Sequence, residues 1–290
     1  VKSFDEGDVR LVNSEKRADY LAASLSISLN ELERSVSLYR KGEKEAPESD
    51  VQLLRSLSNV VRHKLADGAV IALPIIAYYG TERGHIEPMK EQDDRNKTFP
   101  RWRCYEDALE ATTNFDHLFN WFKRMEDEEL REQRDRKDLN YQMPALQAVR
   151  TALDGLDLHM KNPKVEGSPL RFVMDDNSNP ENPKEIRIDQ MSDGYRIMIA
   201  MIADIAARMA EANPSSERSG LEDPLQTSGV IFIDEVDLHL HPIWQRKVLH
   251  QLHNIFPNVQ FIVTTHSPNV VIGAIDIAQV VRLDNGVIDT

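Results

Sequence analysis

Two adjacent carboxylates, Asp234 and Glu235, follow directly on four apolar residues, Val230, Ile231, Phe232 and Ile233. An uninterrupted apolar run of this kind reads as a strand buried on both faces, as in a parallel sheet. Acids at the carboxyl end of such a strand stand where open α/β sheets bind their ligands. Side by side they suit two different tasks. One can hold Mg²⁺ on a nucleotide, and the other can polarise an attacking water. The plain alternative is a buried strand ending in a solvated acidic turn, and this motif alone does not separate the two readings.

Two further segments bear on the choice. An apolar stretch over residues 259–264 runs into His266, a second strand ending in a side chain that can reach a γ-phosphate. Ser267 and Pro268 also look like the N-cap and first residue of a helix, so His266 has an ordinary reading at a helix start. Upstream, Ser192, Asp193 and Gly194 open an apolar helix expected over residues 194–212. A serine and a glycine there offer bare backbone N–H groups at the positive end of the helix, a ready anion site. A serine N-cap is the commoner use of such residues. The ordinary readings leave the order unexplained: a Ser-x-Gly helix, an apolar strand with two acids, then a strand with a histidine.

In that order the three segments resemble the ATP-binding cassette (ABC) ATPases of the SMC/RecF type. Residues 191–196 look like the signature motif, residues 231–235 like Walker B, and His266 like the switch histidine. Residues 238–242 look like the D-loop of the RecF and OLD-like branch, with His241 where transporters usually carry aspartate. A wider resemblance covers residues 73–83, 105–109, 121–127, 204–208 and 234–268, which are similar to the PtuA-type ATPases of bacterial Septu and retron anti-phage systems.

The resemblance implies an α/β, ABC-type P-loop NTPase head, a mixed β-sheet flanked by helices with a helical insertion between its two lobes. It implies a cytoplasmic, Mg²⁺-dependent ATPase, assembled head to head as a dimer or higher oligomer. An HNH nuclease of the PtuB kind is the implied partner, with DNA or a retron reverse transcriptase complex as further ones. It also implies roles. Asp234 acts on Mg²⁺ through its water shell, Glu235 orients or activates water, and His266 meets the γ-phosphate in cis. Ser192 and Gly194 cap that phosphate in trans, with Tyr195 and Arg196 replacing the usual glutamine side of the motif. Asp237 and His241 couple the two sites across the D-loop. Arg83, after the apolar run at 69–79, is placed to approach nucleotide.

One departure stands out. None of the twelve glycines falls in a Gly-x-x-x-x-Gly-Lys-[Ser/Thr] pattern, the loop that cradles phosphates in this class. The N-terminal strand and P-loop are therefore expected outside this sequence; a true loss would leave a nucleotide-dead scaffold for a nuclease. Two other readings remain. Asp234, Glu235, Asp237, His239 and His241 are dense enough in ligand types for a metal-dependent nuclease. A RecF-like DNA-repair ATPase would share every motif above.

Composition narrows the class. The chain has 290 residues, 41% of them apolar, and no apolar run approaches the roughly 18 residues that a membrane helix needs. One cysteine, Cys104, excludes an internal disulfide and suits a reducing compartment. Thirty-five basic against forty-eight acidic residues give a net charge of −13, the opposite of a dedicated nucleic-acid binder. Lys97, Arg101, Trp102 and Arg103 are the best local exception, an aromatic among bases that could stack on a base and pair phosphate; a solvated loop is the plainer reading.

The elements that must position these residues fall into three parts. Residues 1–85 read as the remainder of an N-terminal lobe, with helices over 29–40 and 51–65 and a strand over 69–79. Residues 86–165 read as the helical insertion, with helices over 105–124, 126–140 and 144–159, the middle one nearly all charged. Residues 166–290 read as the C-terminal lobe. There a β-pair is expected at 170–174 and 185–188, a helix over 242–256, and a closing hairpin turned at Asn285-Gly286.

Overall fold

The computed structural model describes residues 20–29, 32–41, 51–84, 100–109, 116–156, 158–167, 171–179, 181–182, 184–214, 216–284 and 287–289. It divides into two compact units, Val1–Ala69 and Val70–Thr290.

In the first unit, β1 (Tyr20–Leu29) and β2 (Leu32–Lys41) form an antiparallel hairpin, followed by α1 (Val51–Ala66). The helix expected over 29–40 is therefore a strand. Leu25, Ile27 and Leu29 alternate with Ser24, Ser26 and Ser28, and Val36 and Leu38 alternate with Ser35 and Ser37. This period of two sets Leu25 opposite Val36 and Ala23 opposite Leu38. The apolar matches at helical spacing were the weaker pattern.

In chain order the second unit contains β3 (Ile75–Tyr79), α2 (Asp116–Arg136), α3 (Pro144–Asp154), β4 (Met160–Glu166), β5 (Arg171–Asp176) and β6 (Lys184–Arg187). Then come α4 (Asp193–Ala212), the single turn α5 (Ser216–Ser219), β7 (Gly229–Ile233), α6 (Pro242–Ile255), β8 (Val259–Val263), α7 (Pro268–Ala274), β9 (Arg282–Asp284) and β10 (Val287–Asp289). Strands β3, β7 and β8 make a parallel sheet in that order, with Tyr79, Ile233 and Val263 level at its carboxyl end. Strands β4, β5 and β6 make an antiparallel sheet. The closing hairpin is present as β9 and β10, while its turn at 285–286 lies outside the described residues.

Several boundaries differ from expectation for local reasons. β3 starts at Ile75 and not at 69, because Pro74 has no N–H to pair. Just before it, the Leu73 N–H and carbonyl are both bound at 2.9 Å by the side chain of buried Asn213. The two helices expected over 105–140 are one, α2, since no breaker interrupts the stretch at residue 125; Tyr105 belongs instead to a 3-10 turn, Arg101–Tyr105. α3 ends at Asp154, where a Cβ on Gly155 would stand 2.9 Å from Ile255. β4 was not expected. Pro163 lies inside it, and the pairing with β5 shifts between Lys161 and Lys164, the irregularity that lets a strand carry a proline.

Helix α4 is the centre of the core, buried at almost every residue from Ile197 to Ala212. Six alanines among its buried residues (Ala200, Ala203, Ala206, Ala207, Ala210 and Ala212) let neighbours approach on several sides. α3, α2, β3 and the 3-10 turn all pack on it. Phe119 and Phe122 of α2 lie 5.3 Å from the Phe172 ring of β5, tying the charged helix to the antiparallel sheet. The same helix sends Glu129 to Arg150 of α3 through two bonds of 2.9 and 3.1 Å.

Among the described residues one face of the parallel sheet is covered and the other only in part. Ile75, Ala77, Tyr79, Ile231 and Ile233 are buried, whereas Ile76, Phe232 and Ile262 are 40%, 38% and 45% exposed. The expectation that the strand before Asp234 is buried on both faces is corrected accordingly: among the described residues its second face is only partly covered, with Phe232 38% exposed. No helix among the described residues is long and apolar enough to cross a membrane.

Candidate functional site

The site forms where β7 and β8 end together. Asp234 continues β7 by donating its N–H to the Tyr79 carbonyl at 2.9 Å. The chain then turns sharply, with Glu235 at φ 47° and His239 at φ 61°, left-handed conformations that non-glycine residues seldom adopt. Turn bonds from Leu238 N–H to the Glu235 carbonyl (2.8 Å) and from Leu240 N–H to the Asp237 carbonyl (3.0 Å) keep the loop compact.

The end of β8 fastens this loop. The Thr264 hydroxyl accepts the Glu235 N–H at 2.8 Å and donates to the Asp234 carboxylate. The Thr264 carbonyl accepts the Val236 N–H at 3.0 Å. The next hydroxyl, Thr265, donates to the Asp237 carboxylate. Residues 234, 235 and 237 are thus fastened by two consecutive threonines, and His266 follows them, exposed. Ser267 caps α7, accepting the Asn269 N–H at 3.2 Å and donating to Gln245 of α6 at 2.7 Å. Gln245 in turn donates to the Leu240 carbonyl at 2.9 Å, so the loops after β7 and β8 share one network.

Arg83 is bound to the main chain of the acid turn. It is 1% exposed and donates to the carbonyls of Gly80 (2.8 Å), Asp234 (2.6 Å) and Glu235 (2.7 Å). Burial pulls its guanidinium below the ordinary arginine value, and the carboxylates of Asp234, Glu235 and Asp237 oppose that fall. The expectation that Arg83 approaches nucleotide is corrected: the side chain is spent on the main chain of the acid turn.

The start of α4 abuts the same loop. Ser192 is its N-cap, but its hydroxyl makes no capping bond. Gly194 is buried, and a Cβ on it would stand 2.5 Å from the His239 carbonyl oxygen, so only glycine permits this approach. Ser192, Asp193 and Tyr195 remain exposed, and Arg196 pairs with Asp193 at 2.7 Å. The Tyr195 ring meets Trp244 edge-on at 5.7 Å, and the Trp244 indole N–H donates to the Tyr195 hydroxyl at 3.2 Å. His241 caps α6, its Nδ1 accepting the Ile243 N–H at 3.5 Å.

The structure therefore brings Asp234, Glu235 and Asp237 together, and joins Gly194 to the loop that follows them. It gives His266, Ser192 and His241 exposed positions at element starts. Among the described residues no group of three or more His, Cys, Asp or Glu side chains could hold a metal ion directly, so the five ligand types from 234 to 241 do not converge on one. Two arginines of the basic cluster are engaged within the chain, and Trp102 is 44% exposed. Arg101 is committed to the carbonyls of Ala212 and Ile71 (2.6 Å each), Arg103 pairs with Glu106 at 3.1 Å, and Lys97 lies outside the described residues. Thr264, Thr265 and Gln245 carried no expectation; two hydroxyls between a buried strand and His266 were the available signal.

Residues 90–272 match the family model "AAA domain, putative AbiEii toxin, Type IV TA system". "Retron Vc95 probable ATPase" of Vibrio cholerae serotype O1 biovar El Tor is 30% identical over 76% of this chain and 49% of its own length. "Septu protein PtuA" of Bacillus mycoides (strain KBAB4) is 36% identical over 34% of this chain and 13% of its own. The resemblance to retron and Septu ATPases is thereby borne out. The chain spans about half the length of the curated retron relatives it matches. An SMC head domain from Thermotoga maritima aligns with a TM-score of 0.42 and 14% identity over 96% of this chain and 76% of its own, a likeness too distant to carry residue roles across. The family match takes in more than half of the 290 residues, and the chain belongs to this AAA domain family, with retron and Septu PtuA ATPases among its relatives.

Proposed function

We propose that this chain carries the hydrolytic acids and the signature helix of an ATP-binding and hydrolysing subunit of a bacterial anti-phage defence complex. The observation that carries the reading is the acid turn itself. Asp234 and Glu235 stand at the carboxyl end of a parallel strand, with the start of a twenty-residue helix packed against the loop they open. That is the crevice where parallel sheets take their ligands.

The donor set fits a Mg²⁺-nucleotide. Three carboxylates, Asp234, Glu235 and Asp237, are gathered around one buried guanidinium, an excess of negative charge that favours a divalent cation. The Ser192 hydroxyl makes no capping bond, and the dipole of α4 favours an anion at its first turn. Bound ATP with Mg²⁺ supplies the phosphoanhydride and the Lewis acid that opens its terminal phosphorus to water. Asp234 would hold the water shell of that ion, and Glu235 would orient or activate the attacking water. His266 would serve the terminal phosphate in cis. Ser192, Gly194, Tyr195 and Arg196 would bind it from a second copy, with Asp237 and His241 coupling the sites across the D-loop.

The assembly is a head-to-head dimer or higher oligomer in the cytoplasm, and it controls an HNH nuclease partner. ATP turnover by the full-length protein, with and without Mg²⁺, tests the core of this reading when wild type is set against Glu235→Gln and oligomer mass is read alongside. Lost turnover with ATP-dependent assembly retained supports it. Absence of nucleotide binding by the wild type overturns it, leaving a scaffold.

A further inference from the structure

Glu235 needs holding. Its left-handed backbone costs energy that surrounding structure must over-determine, and a mobile carboxylate orients water poorly. Two side chains grip the acid pair from opposite sides. From below, the Arg83 fork spans both main-chain carbonyls of the pair, Nη1 to Asp234 at 2.6 Å and Nη2 to Glu235 at 2.7 Å. From β8, Thr264 accepts the Glu235 N–H at 2.8 Å and donates to the Asp234 carboxylate. Only arginine offers two donors in one rigid plane; a lysine ammonium keeps the charge but grips as a point. The grip also has a cost, because among the described residues the buried Arg83 Nε has no hydrogen-bond partner.

We infer that Arg83 and Thr264 are positioning residues for the proposed hydrolysis, fixing where the Asp234 and Glu235 carboxylates point without touching nucleotide. The inference rests on the ATPase reading above. It also ties the 3-10 turn Thr81–Gly84, which carries Arg83, to the acids, so a shift of that turn is transmitted to the site.

The test uses the full-length protein well below its melting temperature, with kcat, KM for Mg-ATP and the melting midpoint measured on each variant. Arg83→Lys should lower kcat by about 10- to 100-fold, the scale of a small misplacement, and leave KM within about threefold. Thr264→Val should split kcat from KM in the same way, and Thr264→Ser should restore wild-type kcat. Unchanged kcat in folded Arg83→Lys and Thr264→Val, beside an active wild type, overturns the inference and leaves the ATPase reading standing. A fall in kcat that only follows the unfolded fraction overturns it too. Should Arg83→Lys fail to fold, the Thr264 pair of variants decides. A wild type without turnover overturns both readings.

Discussion

Gly194, at the start of α4, lies so close to His239 that a Cβ would stand 2.5 Å from the His239 carbonyl oxygen. The opposing atom is backbone in a turn with its own left-handed residue, so it yields poorly. Alanine would gain helix propensity worth at most about 1 kcal/mol, and the overlap should cost about 1–3 kcal/mol or more. Gly194→Ala is therefore expected to be net destabilising, read as a lower urea midpoint with unchanged slope. A midpoint at or above wild type would show that the loop gives way easily.

On the proposed reading, Glu235→Gln removes the charge that orients or activates water and keeps the volume. ATP turnover should fall by about 10²- to 10⁴-fold, the usual span for a lost general base, while nucleotide binding persists. Single-turnover hydrolysis beside equilibrium binding checks this, and turnover within threefold of wild type would reassign the residue.

A buried triad ties β3 to α4. The Tyr79 hydroxyl donates to the Asp204 carboxylate at 2.7 Å, and Arg208 donates to the same oxygen at 2.9 Å. Burial, reinforced by the Asp204 carboxylate, holds the Tyr79 phenol well above its ordinary pKa, so it stays a donor. Tyr79→Phe removes one neutral donor and should cost about 1–2 kcal/mol. Arg208→Met strands a buried carboxylate and should cost about 3–5 kcal/mol. The order of the two urea midpoints is the check.

Glu211 gives a pH dependence with a definite sign. Burial pushes its carboxyl up to about 7, against the pull of Arg124, Arg103 and Arg208 and with the Asp204 carboxylate adding to the rise. The folded state therefore binds more protons than the unfolded state between about pH 4.5 and 7, so this group's contribution falls as pH rises through that window and is flat above it. Glu211→Gln should flatten that part of the profile. Melting midpoints from pH 5 to 8 on both proteins read the difference, and parallel profiles would rule the group out.

The amino-acid sequence determined the parts whose signal is local. Four apolar residues before two acids sufficed for β7 and its turn. A proline after a capping residue sufficed for the starts of α6 and α7, and Asn-Gly for the closing hairpin. Their geometry is set by neighbours in the chain, where periodicity and capping speak directly. Tertiary structure decided the rest. Helical spacing over 29–40 gave way to a hairpin because strand partners lie across a turn and outweigh weak propensity. The family resemblance placed Arg83 to approach nucleotide, yet 151 residues separate it from the carbonyl it grips, a pairing no local pattern encodes. Thr264 and Thr265 became functional candidates only once β8 lay beside β7. Which carboxylates come together, and which hydroxyls fasten them, is decided by which strands end at the same level of one sheet.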